Sequence, residues 1–343
     1  MLHVSAAPLD LRTRRPFGIA RWTHDAFANF VVTLREGGLV GYGEAAPNAR
    51  YGESRDDDLA LLARLAPEIA DLEGPAQVEA FCAGLGEGGG AVPALRAALS
   101  AAAWDLAGKR AGEPVWRFFA PARPEVRTSL TVAIGPPQEM LAAAREAAAR
   151  FRTLKVKLGF DGDVGLAARL AAELPGVRFR YDANEGWDRE RAAAALAVLA
   201  EHGAELVEQP LPARDLEGVA WLRERTSVPL FADEAVLGLG DLAAVAEVYD
   251  GVVVKLAKCG GLAEASALVA ACRERGLRVL VGCMVESSLG VAAALPVAAL
   301  ADHVDLDGPL LLERDPFHGL EVEGDVLRAS AAPGLGVAPA GEA

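Results

Sequence analysis

The chain has 343 residues, 52% hydrophobic and 24% charged, a composition that excludes a disordered polypeptide and suits two domains or one large one. A net charge of −14 argues against a nucleic-acid partner and requires that any anionic ligand be met by a locally placed cation or metal. Four scattered cysteines form no CxxC, and apolar runs stop well short of the roughly 20 residues of a membrane span, so a soluble, cytoplasmic protein is expected.

Residues 1–16 contain no apolar leader, being interrupted by Arg12, Arg14 and Arg15. Phe30–Arg35 and Leu39–Gly43 flank Glu36-Gly37-Gly38 and read as a hairpin with a glycine turn. Helical patterns follow over 56–71, 75–83 and 93–109. Asp56-Asp57-Asp58 reads as a helix N-terminus facing solvent. Strands followed by helices imply an α+β unit over 1–120, closed by a connector at Pro121–Pro124. Gly84-Leu85-Gly86-Glu87-Gly88-Gly89 matches GxGxxG, but helix and not strand precedes it and Glu87 would oppose a pyrophosphate, so it reads as a loop.

From about residue 126 the pattern changes to strict alternation. Short β runs lie at 130–134, 154–158, 178–182, 205–208, 229–233, 252–256, 278–282 and 302–306, separated by Ala-rich helical stretches such as 137–150, 188–202 and 262–275. Alternating β and α means a parallel sheet, and eight runs match a TIM-like barrel, although a doubly wound open sheet shares the local signature. After 312 the chain turns Gly/Pro-rich, and 313–343 is expected to return to the first domain.

Charged residues mark the ends of these runs. Lys157, Asp182, Glu208, Asp233 and Lys255 are spaced by 25, 26, 25 and 22 residues, about one βα unit each. Strand C-termini of a barrel converge on one mouth, so the five side chains should face one another. Asp182, Glu208 and Asp233 would repel without a cation, and an all-oxygen set favours Mg²⁺, with Mn²⁺ as the alternative. Asn184, Gln209 and Glu234 stand beside them as residues that orient ligands. A plain helix-capping role would account for one such Asp but not for three in register. Lys155 and Lys157, two apart on one strand, point to the same side. A cation and a second lysine nearby would lower a lysine from its usual value of about 10.4 toward that of a useful base. Two lysines on opposite faces of a bound carboxylate can take an α-proton from one side and return it from the other through an enediolate, a racemisation or epimerisation. Lys258 is left without a role.

The motifs Thr-Leu-Lys155-Val-Lys157-Leu-Gly, Tyr-Asp182-Ala-Asn184-Glu-Gly-Trp, Glu208-Gln-Pro-Leu-Pro, Ala-Asp233-Glu and Val-Lys255-Leu-Ala-Lys-Cys-Gly-Gly resemble the enolase superfamily, muconate-lactonizing subgroup, along nearly the whole chain. The resemblance implies a (β/α)7β barrel over 121–312, under an α+β cap built from the N-terminal part and the tail. Asp305-Leu-Asp307 resembles the DxD motif of dipeptide epimerases, implying that the pair receives a dipeptide α-ammonium. Phe17–Arg21 resembles their cap loop with an arginine for a side-chain carboxylate, and Arg50-Tyr51-Gly-Glu-Ser54 resembles the second cap loop. Thr131, Lys155, Cys283 and Met284 fall where that family contacts substrate. Trp22, His24 and Asp25 after Arg21 depart from the usual loop, where Gly is common.

The resemblance therefore implies an isomerase acting on a small dipeptide, with L-Ala-D/L-Glu favoured and peptidoglycan-peptide recycling as the setting. The alternatives are o-succinylbenzoate synthase, N-acylamino acid racemase, muconate cycloisomerase or, more remotely, a non-catalytic metal-stabilised barrel. No membrane partner is expected, and a homo-oligomer is compatible with the sequence. His3, His24, His202, His303 and His318 show no metal-binding spacing.

Overall fold

The computed structural model describes residues 1–85 and 92–341; the Gly86–Gly89 part of the GxGxxG match lies outside them. The chain begins with a long antiparallel pair, β1 (His3–Ile19) and β2 (Trp22–Glu36), to which β3 (Leu39–Ala45) adds through a turn with Gly37 and Gly38 in the left-handed region. Helices α1 (Arg55–Ala70), α2 (Gly74–Leu85) and α3 (Pro93–Ala111) follow. Helix α3 lies so close to β3 that a Cβ on Gly41 or Gly43 would strike the Ala102 or Ala98 carbonyl. Phe30, Val32, Leu34, Ile69, Leu95 and Leu99 form the core between them. The Ser54 hydroxyl caps α1 by accepting from the Asp57 amide. Asp56 and Asp57 face solvent as expected, but Asp58 is buried, because the fourth residue of the helix comes round to the inner face.

After β4 (Glu125–Arg127), the eight β runs become the eight strands of one sheet. They alternate with helices as β5 (Leu130–Val132), α4 (Pro137–Ala148), β6 (Thr153–Lys157), α5 (Asp163–Glu173), β7 (Arg178–Asp182) and α6 (Arg189–Glu201). The series continues with β8 (Leu206–Glu208), α7 (Leu216–Arg223), β9 (Leu230–Ala232), α8 (Leu242–Ala246) and β10 (Gly251–Val254). It ends with α9 (Leu256–Cys259), α10 (Leu262–Glu274), β11 (Arg278–Gly282), α11 (Ser288–Ala298), β12 (His303–Asp305) and α12 (Gly308–Leu311). Neighbours pair in parallel from β5 through to β12, and at the seam the Ser129 amide donates to the Val304 carbonyl at 3.3 Å. The sheet is thus a nearly closed barrel. Odd and even residues separate cleanly along each strand. Leu154, Val156, Phe179, Tyr181 and Val207 join the shell under the helices, while Leu206, Phe231, Val253 and Leu280 fill the interior below the mouth.

The tail forms β13 (Phe317–His318) with β16 (Ala338–Pro339), and β14 (Glu321–Glu323) with β15 (Val326–Arg328), the latter pairing with β4. It also reaches α3, where the Leu335 amide donates to Asp105 at 2.7 Å. No helix among the described residues is long and apolar enough to cross a membrane, and all four cysteines are free.

Helix α11 is buried along its whole length, and its N-terminus is capped from outside the barrel. Glu44, on β3, accepts from the amides of Ser287 and Gly290 and from the Ser287 hydroxyl; Asp315, in the tail, accepts from Ser288. Carboxylates at a helix N-terminus meet unpaired amides and the positive end of the dipole. Beside them burial, with Glu44 adding, pushes the Glu286 carboxyl up to about 8. An acid raised by folding lends stability that is complete below the unfolded value, about 4.3, and is lost as pH rises through about 8. Glu286→Gln keeps the shape of the neutral acid. Its melting temperature should match wild type near pH 5 and exceed it at pH 9, a contribution of roughly a few kcal/mol. Equal melting temperatures at both pH values would contradict the burial argument.

Candidate active site

Register brings the charged residues to one level. Lys157 lies opposite Asp182 and Asp182 opposite Glu208 on successive strands, and Gly282 opposite Asp305. The chain follows β8 and β9 with Gln209 and Asp233, so the run of inward carboxylates continues past the last ladder pair. Asp182, Glu208 and Asp233 are buried, each with an oxygen within 4.8 Å of the others'.

Four lysines surround this triad. Lys157 donates to Asp182 at 2.6 Å, and Lys255 to Asp233 at 2.8 Å. Lys155 stands between the triad and the DxD pair, 2.9 Å from Glu208, 2.9 Å from Asp305 and 3.2 Å from Asp182. Lys258, unassigned from sequence, is buried and donates to the Asp233 carboxylate and to the Asp233, Val236 and Val253 carbonyls at 2.6–3.1 Å. It fixes both the backbone and the side chain of one triad member. Lys258→Met should therefore lower divalent-cation affinity roughly 10–100-fold, read by Mg²⁺ titration calorimetry with circular dichroism as the control for folding. Unchanged affinity in a folded variant would refute the positioning role.

The electrostatics follow from burial set against these pairs. Burial raises Asp182, but Lys157 and Lys155 outweigh it and hold the carboxyl at about 2. Burial also opposes ionisation of Asp233, yet Lys255 and Lys258 keep it well below the carboxylate range. Glu208 goes the other way, up to about 7, because burial and the charges of Asp182, Asp305 and Asp233 exceed what Lys155 returns. One Glu208 oxygen, Oε1, is buried without a hydrogen-bond partner. An orphaned acceptor among three converging carboxylates, all hard oxygen donors, fits a divalent cation. At Lys255 burial pulls the ammonium down, but without a cation Asp233 and Glu208 overcome this and raise it, so a bound cation would compete with the ammonium for the same carboxylate.

Three residues just past strand ends hold left-handed backbone: Asn184 (φ 44°), Glu185 (φ 65°) and Gln209 (φ 35°). Non-glycine residues there carry strain that surrounding contacts must hold. The Asn184 amide donates to Asp182 at 2.9 Å, while Gln209 accepts from the amides of Asp233 and Ala235. The Asn184 side chain donates to Glu234 at 3.2 Å.

The DxD pair sits at the seam. Asp305 accepts from the Ser129 hydroxyl at 2.6 Å, and Asp307 from the Thr131 amide at 2.6 Å. Burial, then Asp305, pushes Asp307 up to about 7, so an added cation would be favoured beside it. Cys283 is half-buried next to this pair, and its thiol is raised by desolvation and by Asp307 and Glu286. The Met284 amide donates to Glu286 at 2.9 Å. Tyr51 follows Asn48 in a short 3₁₀ turn of the cap, close enough to Asp233 and Glu234 that, after burial, they raise its phenol.

Arg21, at the β1–β2 turn, reaches the barrel but is already engaged. It donates to the Asn184 carbonyl at 2.7 Å, to Glu185 at 2.9 Å and to Glu234 at 2.8 Å. Glu185, which the sequence reading missed, also pairs with Arg50. Its only signal was its place next to Asn184 in the loop after β7.

Comparison with known proteins agrees with this geometry. Residues 4–119 match the mandelate racemase / muconate lactonizing enzyme N-terminal domain, and 139–343 the enolase C-terminal domain-like family. A hydrophobic dipeptide epimerase of Roseobacter litoralis is 36% identical, covering 95% of this chain and 96% of its own. An L-Ala-D/L-Glu epimerase of Bacteroides thetaiotaomicron is 33% identical over 96% of this chain and 86% of its own. The dipeptide epimerase of Enterococcus faecalis, solved with Mg and L-Leu-L-Tyr, superposes with a TM-score of 0.90 at 30% identity, covering 98% of each chain. The chain belongs to the mandelate racemase/muconate lactonizing enzyme lineage of the enolase superfamily and, within it, to the isomerases that include the dipeptide epimerases.

Proposed function

We propose that the protein epimerises dipeptides by 1,1-proton transfer at the α-carbon of the C-terminal residue, with Mg²⁺ held by Asp182, Glu208 and Asp233. The observation that carries this reading is the placement of Lys157 at the end of β6 and Lys255 just past the end of β10, four strands apart around an eight-stranded barrel, with the buried triad between them. One lysine, neutral, takes the α-proton; the other, as ammonium, returns one to the opposite face, so protons balance. A divalent cation held by these three carboxylates would offset negative charge at the substrate carboxylate. Lys155, among Asp182, Glu208 and Asp305, keeps the carboxylates of the mouth from repelling one another. Asp305 and Asp307 receive the dipeptide ammonium, with Thr131, Cys283 and Met284 lining that end and Tyr51 closing the cap side. In this reading the chain divides into a cap over 1–120, a barrel over 121–312 and a tail over 313–343.

L-Ala-D/L-Glu is the first substrate to assay, since relatives carry that activity in their names. In D₂O with Mg²⁺, a dipeptide substrate should gain deuterium at the C-terminal α-carbon and yield both epimers. Absence of exchange across a dipeptide panel would overturn the proposal. Exchange only with muconate or o-succinylbenzoate precursors, which carry no α-ammonium, would favour the other reactions of the fold.

A further inference from the structure

Resting on the epimerase reading, we infer that the side chain on the reacting α-carbon is large and apolar or aromatic. Phe17, Trp22 and Phe27 of the cap hairpin receive it, in place of a carboxylate received by Arg21.

The first ground is the state of Arg21. Its Nη1 donates to Glu185 and the Asn184 carbonyl and its Nη2 to Glu234, three of its five N–H groups, and its side chain is 30% exposed. The Glu234 side chain is 2% exposed, and its second oxygen has no hydrogen-bond partner. Turning Arg21 toward a substrate would leave the buried Glu234 carboxylate with one amide donor, Asn184. A buried carboxylate stripped of its counter-ion is strongly disfavoured, so Arg21 serves the loop after β7 and the loop after β9.

The second ground is what the hairpin presents instead. Phe17, Trp22 and Phe27 form a triangle of rings with centroids 6.1–6.3 Å apart, Trp22 meeting Phe27 edge to face at 63°. His24 stacks on Trp22 at 4.7 Å and is exposed. The three larger rings are each half-buried, so each keeps surface to offer. The Phe17 centroid lies 5.9 Å from the Lys157 ammonium nitrogen. A base must come within about 3–3.5 Å of the carbon it deprotonates, which puts a substituent on that carbon within reach of the Phe17 ring.

The cluster is held in place rather than loose. Phe17 and Phe27 pack on Leu11, Val285 and Leu312, and the Gly18 carbonyl accepts from the Ile134 amide at 2.8 Å. The Ala20 methyl seats against Gly159 and Gly186, where a Cβ on either glycine would collide with it. Aromatic faces and edges favour apolar or aromatic partners, whereas a cationic side chain would meet Arg21 and Lys157 in the same corner.

The test compares L-Ala-L-Phe, L-Ala-L-Leu, L-Ala-L-Lys and L-Ala-L-Glu with the full-length Mg²⁺-loaded protein in D₂O, reading α-deuteration. Phe or Leu should exceed Glu and Lys by about tenfold or more in kcat/KM, and Trp22→Ala should erase most of that ratio. Arg21→Met should lower the melting temperature while leaving the Phe-to-Glu ratio unchanged. If L-Ala-L-Glu or L-Ala-L-Lys exchanges fastest, or Arg21→Met selectively removes L-Ala-L-Glu exchange, this inference fails while the epimerase reading stands. If no dipeptide exchanges, the epimerase reading fails and takes the inference with it.

Discussion

Lys157→Met and Lys255→Met should each lose interconversion of epimers while keeping deuterium exchange of one epimer, a different one in each variant. Lys157 closes β6 and Lys255 follows β10 directly, so in the proposed reading each would face one side of a substrate carboxylate held between them. Exchange needs a single base to remove and return a proton on one face; epimerisation needs both faces. General acid–base catalysis by a positioned group is worth about 10²–10⁴-fold, so the overall rate should fall by roughly that amount. Methionine preserves the buried stem and volume but leaves Asp182 or Asp233 without one partner, so folding must be checked. The remaining partners, Lys155 for Asp182 and Lys258 for Asp233, make loss of the fold avoidable. Equal loss of exchange from both epimers in both folded variants would rule out the two-base assignment.

Much of this site was legible because barrel strands are short, buried and end at one rim. A charged residue at the close of a buried run is costly unless it has a use, and five such residues about one βα unit apart mark the rim in the sequence itself. What stayed hidden depends on contacts between distant segments. Strand β1 shows no clean period because Pro8 and Pro16 interrupt it and Arg14 and Arg15 stand side by side where the register shifts between Arg12 and Phe17. The tail strands are two or three residues long, too short to show a period. Lys258 reads as a surface residue of a helix, yet the single turn of α9 carries it under the Asp233 backbone. The hold of Glu185 and Glu234 on Arg21 joins residues more than 160 positions apart, which no local pattern encodes. The clamp of Glu44 on Ser287 is of the same kind.

Glu208→Gln should separate stability from activity with opposite signs. In the metal-free protein Glu208 is the triad member with the least compensation: Asp182 has Lys157 and Lys155, Asp233 has Lys255 and Lys258, and Glu208 has only Lys155. Its Oε1 has no partner, and Asp182, Asp233 and Asp305 all repel its charge. A neutral amide of the same shape removes a buried, under-paired anion, a cost of about 1–3 kcal/mol. The metal-free variant should therefore melt a few degrees above metal-free wild type, at about 2 °C or more per kcal/mol. Lys155 keeps Asp182 and Asp305 as partners, so its own burial remains compensated. With Mg²⁺ the order should reverse, since the triad has lost one of three anionic ligands and binding adds stability only in proportion to affinity. Epimerisation should fall by roughly 10³-fold or more, because several kcal/mol of charge stabilisation depend on the bound ion and each 1.36 kcal/mol is tenfold in rate. Thermal melts of both proteins with EDTA and with Mg²⁺, alongside the deuterium assay, decide the matter. A variant that melts lower than wild type in EDTA would show that Glu208 stabilises the metal-free barrel. The triad would then be a structural ion-pair network, and its three carboxylates would need no cation to explain their convergence.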